Sequence, residues 1–175
     1  KLFSSAPESE RIIKNINDTQ GVYLVPAFTG LGAPYWDARA RGIITGLTRG
    51  ANYKHLIRAA LEAIAYQTKD VFDIMKKEAA RPIKELKVDG GACQNNFLMQ
   101  FQSDILNTRL SRPKVVESTA QGAAFLAGRV AGLYKKSQLK RMNVSGATFK
   151  PRMKYKKRKD LYAGWLHAIE KAKEQ

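Results

Sequence analysis

Ile83-Lys84-Glu85-Leu86-Lys87-Val88-Asp89-Gly90-Gly91-Ala92-Cys93-Gln94-Asn95-Asn96 is the stretch on which the fold turns. Apolar residues alternate up to Val88, which predicts a strand, and Pro82 closes whatever helix precedes it. Two glycines end that strand, and a helix follows from about Asn95 to Leu106. Glycine carries no Cβ, so the backbone at Gly90 and Gly91 can take positive φ and let a ligand come close. The N–H groups and positive dipole end of the next helix favour a phosphate or another electron-rich group. Asn95 both donates and accepts hydrogen bonds, as reading an adenine edge requires. A packing turn closed by an asparagine cap would carry the same residues, so the motif alone leaves both readings open. It is neither a P-loop, having no Gly-Lys-Ser/Thr ending, nor a dinucleotide-binding fingerprint. Asp89 could orient Mg²⁺ through water or simply serve the turn.

Strands and helices alternate on both sides of this turn. Val22-Tyr23-Leu24-Val25 reads as a strand ended by Pro26, and Gly42 to Leu47 as a second. Between them, residues 27–41 form a loop too long to be idle in a compact domain, with Gly30, Gly32 and Pro34 preventing regular structure. Asn52 is placed to cap a helix running to about Ala79, with Ile57, Ala60, Leu61, Ile64, Val71, Phe72 and Met75 at helical spacing. Arg58, Glu62, Lys69 and Asp70 are expected mostly on its other faces. Ile12, Ile13 and Ile16 mark a short helix near the start. A strand near Leu110, a small-residue helix from about Thr119 to Leu133 and a terminal helix from Tyr155 to Lys173 complete the pattern. Ser145-Gly146 and Pro151 read as turns. The alternation predicts an α/β domain.

With 175 residues the chain is long enough for one domain, residues 1–175, with a core that needs no disulfide. Cys93 is the sole cysteine, and no leader or bilayer-spanning run is apparent, so a cytoplasmic protein without a membrane partner is expected. The net charge of +16 is unevenly placed: Lys135 to Lys159 holds eleven basic residues and no acidic one. That segment is either a solvated basic surface or a weak polyanion-binding one. No zinc-finger spacing or aromatic RNA-binding signature accompanies it, so no specific nucleic-acid partner is expected.

Phe28-Thr29-Gly30-Leu31-Gly32-Ala33-Pro34-Tyr35-Trp36-Asp37 and Arg41-Gly42-Ile43-Ile44-Thr45-Gly46-Leu47-Thr48-Arg49-Gly50 go further. With His55-Leu56-Ile57-Arg58-Ala59-Ala60-Leu61-Glu62, Val88-Asp89-Gly90-Gly91-Ala92, Asn95 to Gln100 and Thr119 to Ala124, they resemble the glycerol kinases, a branch of the FGGY carbohydrate kinases. The likeness covers about four-fifths of the chain. It implies the ribonuclease-H-like, actin-type ATPase fold, here the C-terminal FGGY domain in part. It also implies ATP and Mg²⁺ as cofactors, glycerol as acceptor, and Gly91, Asn95 and Gly90 as nucleotide contacts. In that family the catalytic aspartate, the polyol-binding residues and the threonine-glycine phosphate loop lie upstream of the matching region. The resemblance therefore implies no catalytic residue and no metal ligand here, and leaves a homo-oligomer open. The basic run before Tyr162-Ala163-Gly164-Trp165 departs from the family, whose members usually carry mixed or acidic residues there.

Other polar residues have plainer roles. His55 is expected to cap or lie on the surface, His167 to be structural, Cys93 to be a packing residue whose thiol could be accessible, and Glu62 to be a surface or salt-bridging residue. Tyr35, Trp36 and Arg41 either shape a substrate site or lock their loop to the core, the second being favoured. Another FGGY sugar kinase and a non-catalytic polyanion-binding module remain the alternatives.

Overall fold

The computed structural model describes residues 6–135, 138 and 145–173. In chain order these form α1 (Ala6–Ile13), β1 (Tyr23–Val25), β2 (Ile43–Thr45), α2 (Tyr53–Glu78), β3 (Glu85–Lys87), α3 (Asn96–Leu106), β4 (Arg109–Pro113), α4 (Ser118–Val130), β5 (Ser145–Phe149) and α5 (Tyr155–Lys173). β1 and β2 pair antiparallel as a ribbon. A second sheet runs in the order β3-β4-β5, with β3 parallel to β4 and β5 antiparallel to it.

β5 corrects an expectation, because Ser145-Gly146 had the look of a turn. Gly146 lies so close to β4 that a Cβ there would sit 2.9 Å from Lys114 N and Pro113 O. Small residues let this strand lie against its neighbour, and no periodicity in the sequence announces that. Lys136, Lys140 and Arg141 of the basic segment fall outside the described residues. Of its other basic residues, Lys135, Lys150, Arg152, Lys154, Lys156, Lys157 and Lys159 are exposed and Arg158 half-buried. None of these eight forms an ion pair among the described residues.

α2 spans 26 residues and starts at a capping box. Asn52 Oδ1 accepts from Lys54 N at 3.0 Å, and His55 Nδ1 accepts from Asn52 N at 3.1 Å. His55 is thus a capping residue, and a buried one. The face that α2 buries keeps Ile57 and Phe72 of the expected apolar set, with Ala60 and Leu61 half-buried, but is rotated from the rest. Ile64, Val71 and Met75 are exposed, whereas Glu62 and Asp70 are buried. Glu62 is held by Arg58 Nε at 2.8 Å and Tyr66 Oη at 3.2 Å. Asp70 accepts from Tyr162 Oη at 2.7 Å and Trp165 Nε1 at 2.9 Å. A buried carboxyl group needs hydrogen bonds: Glu62 has an ion pair with Arg58 besides, while Asp70 is satisfied by neutral donors alone.

Tyr66 is the centre of the core. It stacks on Trp165 of α5 with ring centroids 5.3 Å apart and meets Phe101 of α3 edge-on at 5.5 Å. The 27–41 loop joins the same core. Leu31 and Asp37 exchange backbone hydrogen bonds of 2.7 and 2.9 Å, and Asp37 Oδ1 accepts from Arg39 N and Ala40 N. Gly30 sits at φ +89° where a Cβ would lie 2.6 Å from Asp37 O, so only glycine closes this loop without strain. Arg41 Nη1 donates to the carbonyls of Ala38, Arg39 and Ala40. Burial first and the nearby Asp70 carboxylate second push the Tyr35 hydroxyl pKa upward. Tyr35 and Arg41 therefore do architectural work, while Trp36 is exposed.

Candidate nucleotide-binding turn

The parallel strands β3 and β4 bring two ends of chain together at their C-terminal edge. Val88 N donates to Ser111 O at 3.0 Å, and two residues on Gly90 N donates to Val116 O at 2.8 Å. The backbone then bends at Gly90, with φ +81°, and winds one short 3₁₀ turn, Gly91–Gln94, before α3 begins. A positive φ is open to glycine and costly for other residues, which explains the residue at 90. Gly91 is exposed, and a Cβ at either glycine would meet nothing within 4 Å. Open space therefore borders the backbone at both positions.

Two open clefts adjoin this bend. One, of about 520 Å³, is lined by Glu85, Lys87, Val88, Asp89, Ser111, Pro113 and Ser118. The other, of about 500 Å³, is lined by Gln94, Arg112, Pro113, Lys114, Val116, Gly146 and Ala147. Both fall within the roughly 300–1,000 Å³ common for small-molecule sites. They place Asp89 at the rim of the first, beside the hydroxyl-bearing start of α4.

Asn95 takes a different place from the one its chemistry suggests. It is buried and caps α3: Oδ1 accepts from Leu98 N at 2.9 Å, and Nδ2 donates to Ser9 Oγ at 3.2 Å. The N-terminal end of α3 is not the open anion seat that the glycine turn suggested. Glu10 of α1 already supplies the anion there, with Oε2 accepting from Asn96 N at 2.8 Å and Oε1 from Asn96 Nδ2 at 3.4 Å. A phosphate at that helix end would have to displace a carboxylate.

A second support comes from β4. Arg112 Nη1 donates to Cys93 O at 2.7 Å and Gln94 O at 3.2 Å, and Nη2 to Asn96 Oδ1 at 3.1 Å. Its guanidinium also lies 5.3 Å from the centre of the Phe149 ring. The carbonyls it gathers are those left without intrahelical donors where the 3₁₀ turn ends. Cys93 is buried among core residues; burial raises its thiol pKa, with Arg112 opposing, so it packs rather than reacts. His167 is exposed on α5. Ser9, Glu10 and Arg112 could not be picked out from the sequence. They reach the turn from 16 to 86 residues away, and no local pattern marks them.

The comparisons with known proteins show the family. The model of the FGGY family of carbohydrate kinases, C-terminal domain, matches residues 7–131, from α1 through the whole turn and past α4. The chain belongs to the FGGY family of carbohydrate kinases. It is 57% identical over 173 residues to a glycerol kinase of Treponema denticola and 53% identical over 173 to one of Clostridium botulinum, covering 98% of this chain in each case. It spans 35% of the length of those relatives. Among solved structures it is similar to Plasmodium falciparum glycerol kinase with ADP, at a TM-score of 0.86 and 36% identity, over 98% of this chain and 34% of that one. It is also similar to a ligand-bound xylulose kinase of Lactobacillus acidophilus, at a TM-score of 0.76 and 25% identity, covering 97% of this FGGY chain and 36% of that one. The actin-like ATPase fold expected from the sequence is thus the fold observed.

Proposed function

We propose that this FGGY chain, as a single nucleotide-side domain, supplies the adenosine wall of an ATP-dependent glycerol kinase. The kinase would phosphorylate glycerol to glycerol 3-phosphate in the cytoplasm. The observation that carries the reading is the Gly90–Gly91 bend, where a Cβ at either glycine would meet open space, flanked by a cleft that begins at Val88 and Asp89. Sequence identity of 57% to a named glycerol kinase and likeness to a glycerol kinase holding ADP support the same assignment. In this reading Gly90 and Gly91 present backbone to the nucleoside, and Asn95 fixes the bend by capping α3.

Phosphoryl transfer needs a positioned phosphate donor, a base for the acceptor hydroxyl and cationic charge on the phosphates. Bound Mg²⁺ would supply that charge. The carboxylate of Asp89 and the hydroxyl of Ser118, at the rim of one cleft, are hard oxygen donors that fit contact with such an ion through water. Among the described residues no three His, Cys, Asp or Glu side chains gather into an all-protein cage. The base and the polyol contacts are assigned to the family's upstream region, so this chain alone is expected to be inactive.

Gly91→Leu tests the reading cleanly. The new side chain meets no protein atom in its first step outward, so the fold should be kept while the space for the nucleoside is filled. In the full-length enzyme the KM for ATP should rise at least tenfold, with an unchanged melting temperature; an unchanged KM for ATP refutes the assignment. The likeness to a xylulose kinase keeps another FGGY sugar kinase as the second reading. Turnover of xylulose or gluconate in place of glycerol would select it.

A further inference from the structure

α1 is the described element farthest from the turn in sequence that nevertheless touches it. It is eight residues long, yet two of its side chains end on the two residues that open α3. Ser9 is buried, and its hydroxyl oxygen receives the Asn95 amide; Glu10 receives both the backbone and the side-chain N–H groups of Asn96. Arg112 holds the same Asn96 side chain through its oxygen, so the Asn96 amide is spanned between an acid and a base. The bend itself has no side chain at Gly90 or Gly91 to brace it. Its backbone is held on one side by the bond from Gly90 N to Val116 O and by Arg112, and on the other from Asn95 and Asn96.

We propose that Ser9 and Glu10 are positioning residues for the nucleotide. They hold Asn95 and Asn96, and thereby the Gly90–Gly91 backbone, in the arrangement that receives the nucleoside. This rests on the reading of the turn as a nucleotide wall. Glu10 also sets which part of the nucleotide can lie here. Its carboxylate occupies the first N–H of α3, where a phosphate would otherwise be drawn by the helix end. A phosphate is therefore not drawn to that N–H, and the nucleoside is admitted at the bend.

Steady-state kinetics of the full-length enzyme with Ser9→Ala, Glu10→Ala, Glu10→Gln and Gly91→Leu test the inference. Ser9→Ala and Glu10→Ala should each raise the KM for ATP three- to tenfold, with kcat and the KM for glycerol changing less than twofold. Glu10→Gln keeps an oxygen for Asn96 N and should recover most of the loss. A role confined to stability would instead lower all parameters together with the melting temperature, and that result overturns the proposal. So does a KM for ATP unmoved in both alanine variants, or a glutamine variant no better than the alanine one. Gly91→Leu separates the two levels of the argument. If it raises the KM for ATP while the α1 variants do not, the positioning role fails and the nucleotide wall stands; if it has no effect, the wall itself is lost.

Discussion

Arg112→Met removes the guanidinium, and with it both the hydrogen bonds that brace the candidate nucleotide turn from β4 and the contact over the Phe149 ring. Hydrogen bonds to charged groups contribute about 1.5–3 kcal/mol each when well made. Here the bond to Cys93 O at 2.7 Å is short and half-buried, whereas those to Gln94 O and Asn96 Oδ1 are longer and exposed. Water can replace the exposed pair, so the loss should be set by the first bond, at about 1.5 kcal/mol. If the unbraced turn must be re-formed on each binding event, the KM for ATP in the full-length enzyme rises about tenfold, since about 1.4 kcal/mol is a factor of ten. Arg112→Lys can reach one carbonyl but not both and the amide, and should fall between the two. Initial-rate measurements with ATP and glycerol varied in turn decide the matter. An unchanged KM for ATP, or an equal rise in the KM for glycerol, would refute the bracing role.

Asp70→Asn leaves Tyr162 or Trp165 facing an amide donor, and a buried donor without an acceptor costs about 1–3 kcal/mol. A melting temperature lowered by roughly 5 °C is expected from calorimetry, and none at all would mean the hub carries no weight. Gly30→Ala must take positive φ and displace Asp37 O or Ala38, costing more than about 2 kcal/mol. It should unfold at clearly lower urea than Gly32→Ala, whose Cβ meets nothing within 4 Å. Burial raises Tyr23 to about 12, with Glu62 adding to it, and drives Tyr35, Tyr66 and Tyr162 upward as well. A phenol whose folded pKa is raised contributes stability that is complete below pH 10 and is lost as pH climbs through the folded value. Absorbance at 295 nm should show these four ionising late and together with unfolding; four phenols titrating reversibly near pH 10 in folded protein would contradict the packing. The uncompensated basic residues of 150–159 should bind heparin only weakly, with the binding gone by about 200 mM salt.

Local chemistry made much of this FGGY domain readable in advance. Asn52 and His55 announce the start of α2, Pro82 and the alternation through Val88 announce β3, and paired glycines announce a bend before a helix, because each of these acts on its own neighbours in the chain. The face of α2 was misjudged in part, at Ile64, Val71 and Met75, for an equally physical reason. Its buried stripe takes in Glu62 and Asp70, and acids enter a core only where partners await them; Glu62 meets Arg58 and Tyr66 of its own helix, but the partners of Asp70, Tyr162 and Trp165, lie over 90 residues away. β5 was missed because its small residues serve a close approach to β4 that exists only once the sheet has formed.

The amino-acid order by itself determined the element sequence, the family likeness and the position of the glycine bend. Only the tertiary structure decided what surrounds the bend. Ser9 and Glu10 from α1 and Arg112 from β4 consume the polar groups around α3's first turn, and what remains open is bare backbone at Gly90 and Gly91. Hydrogen bonds of a few ångströms act between atoms, not along the chain, and so the residues that satisfy a helix end can come from any distance in sequence.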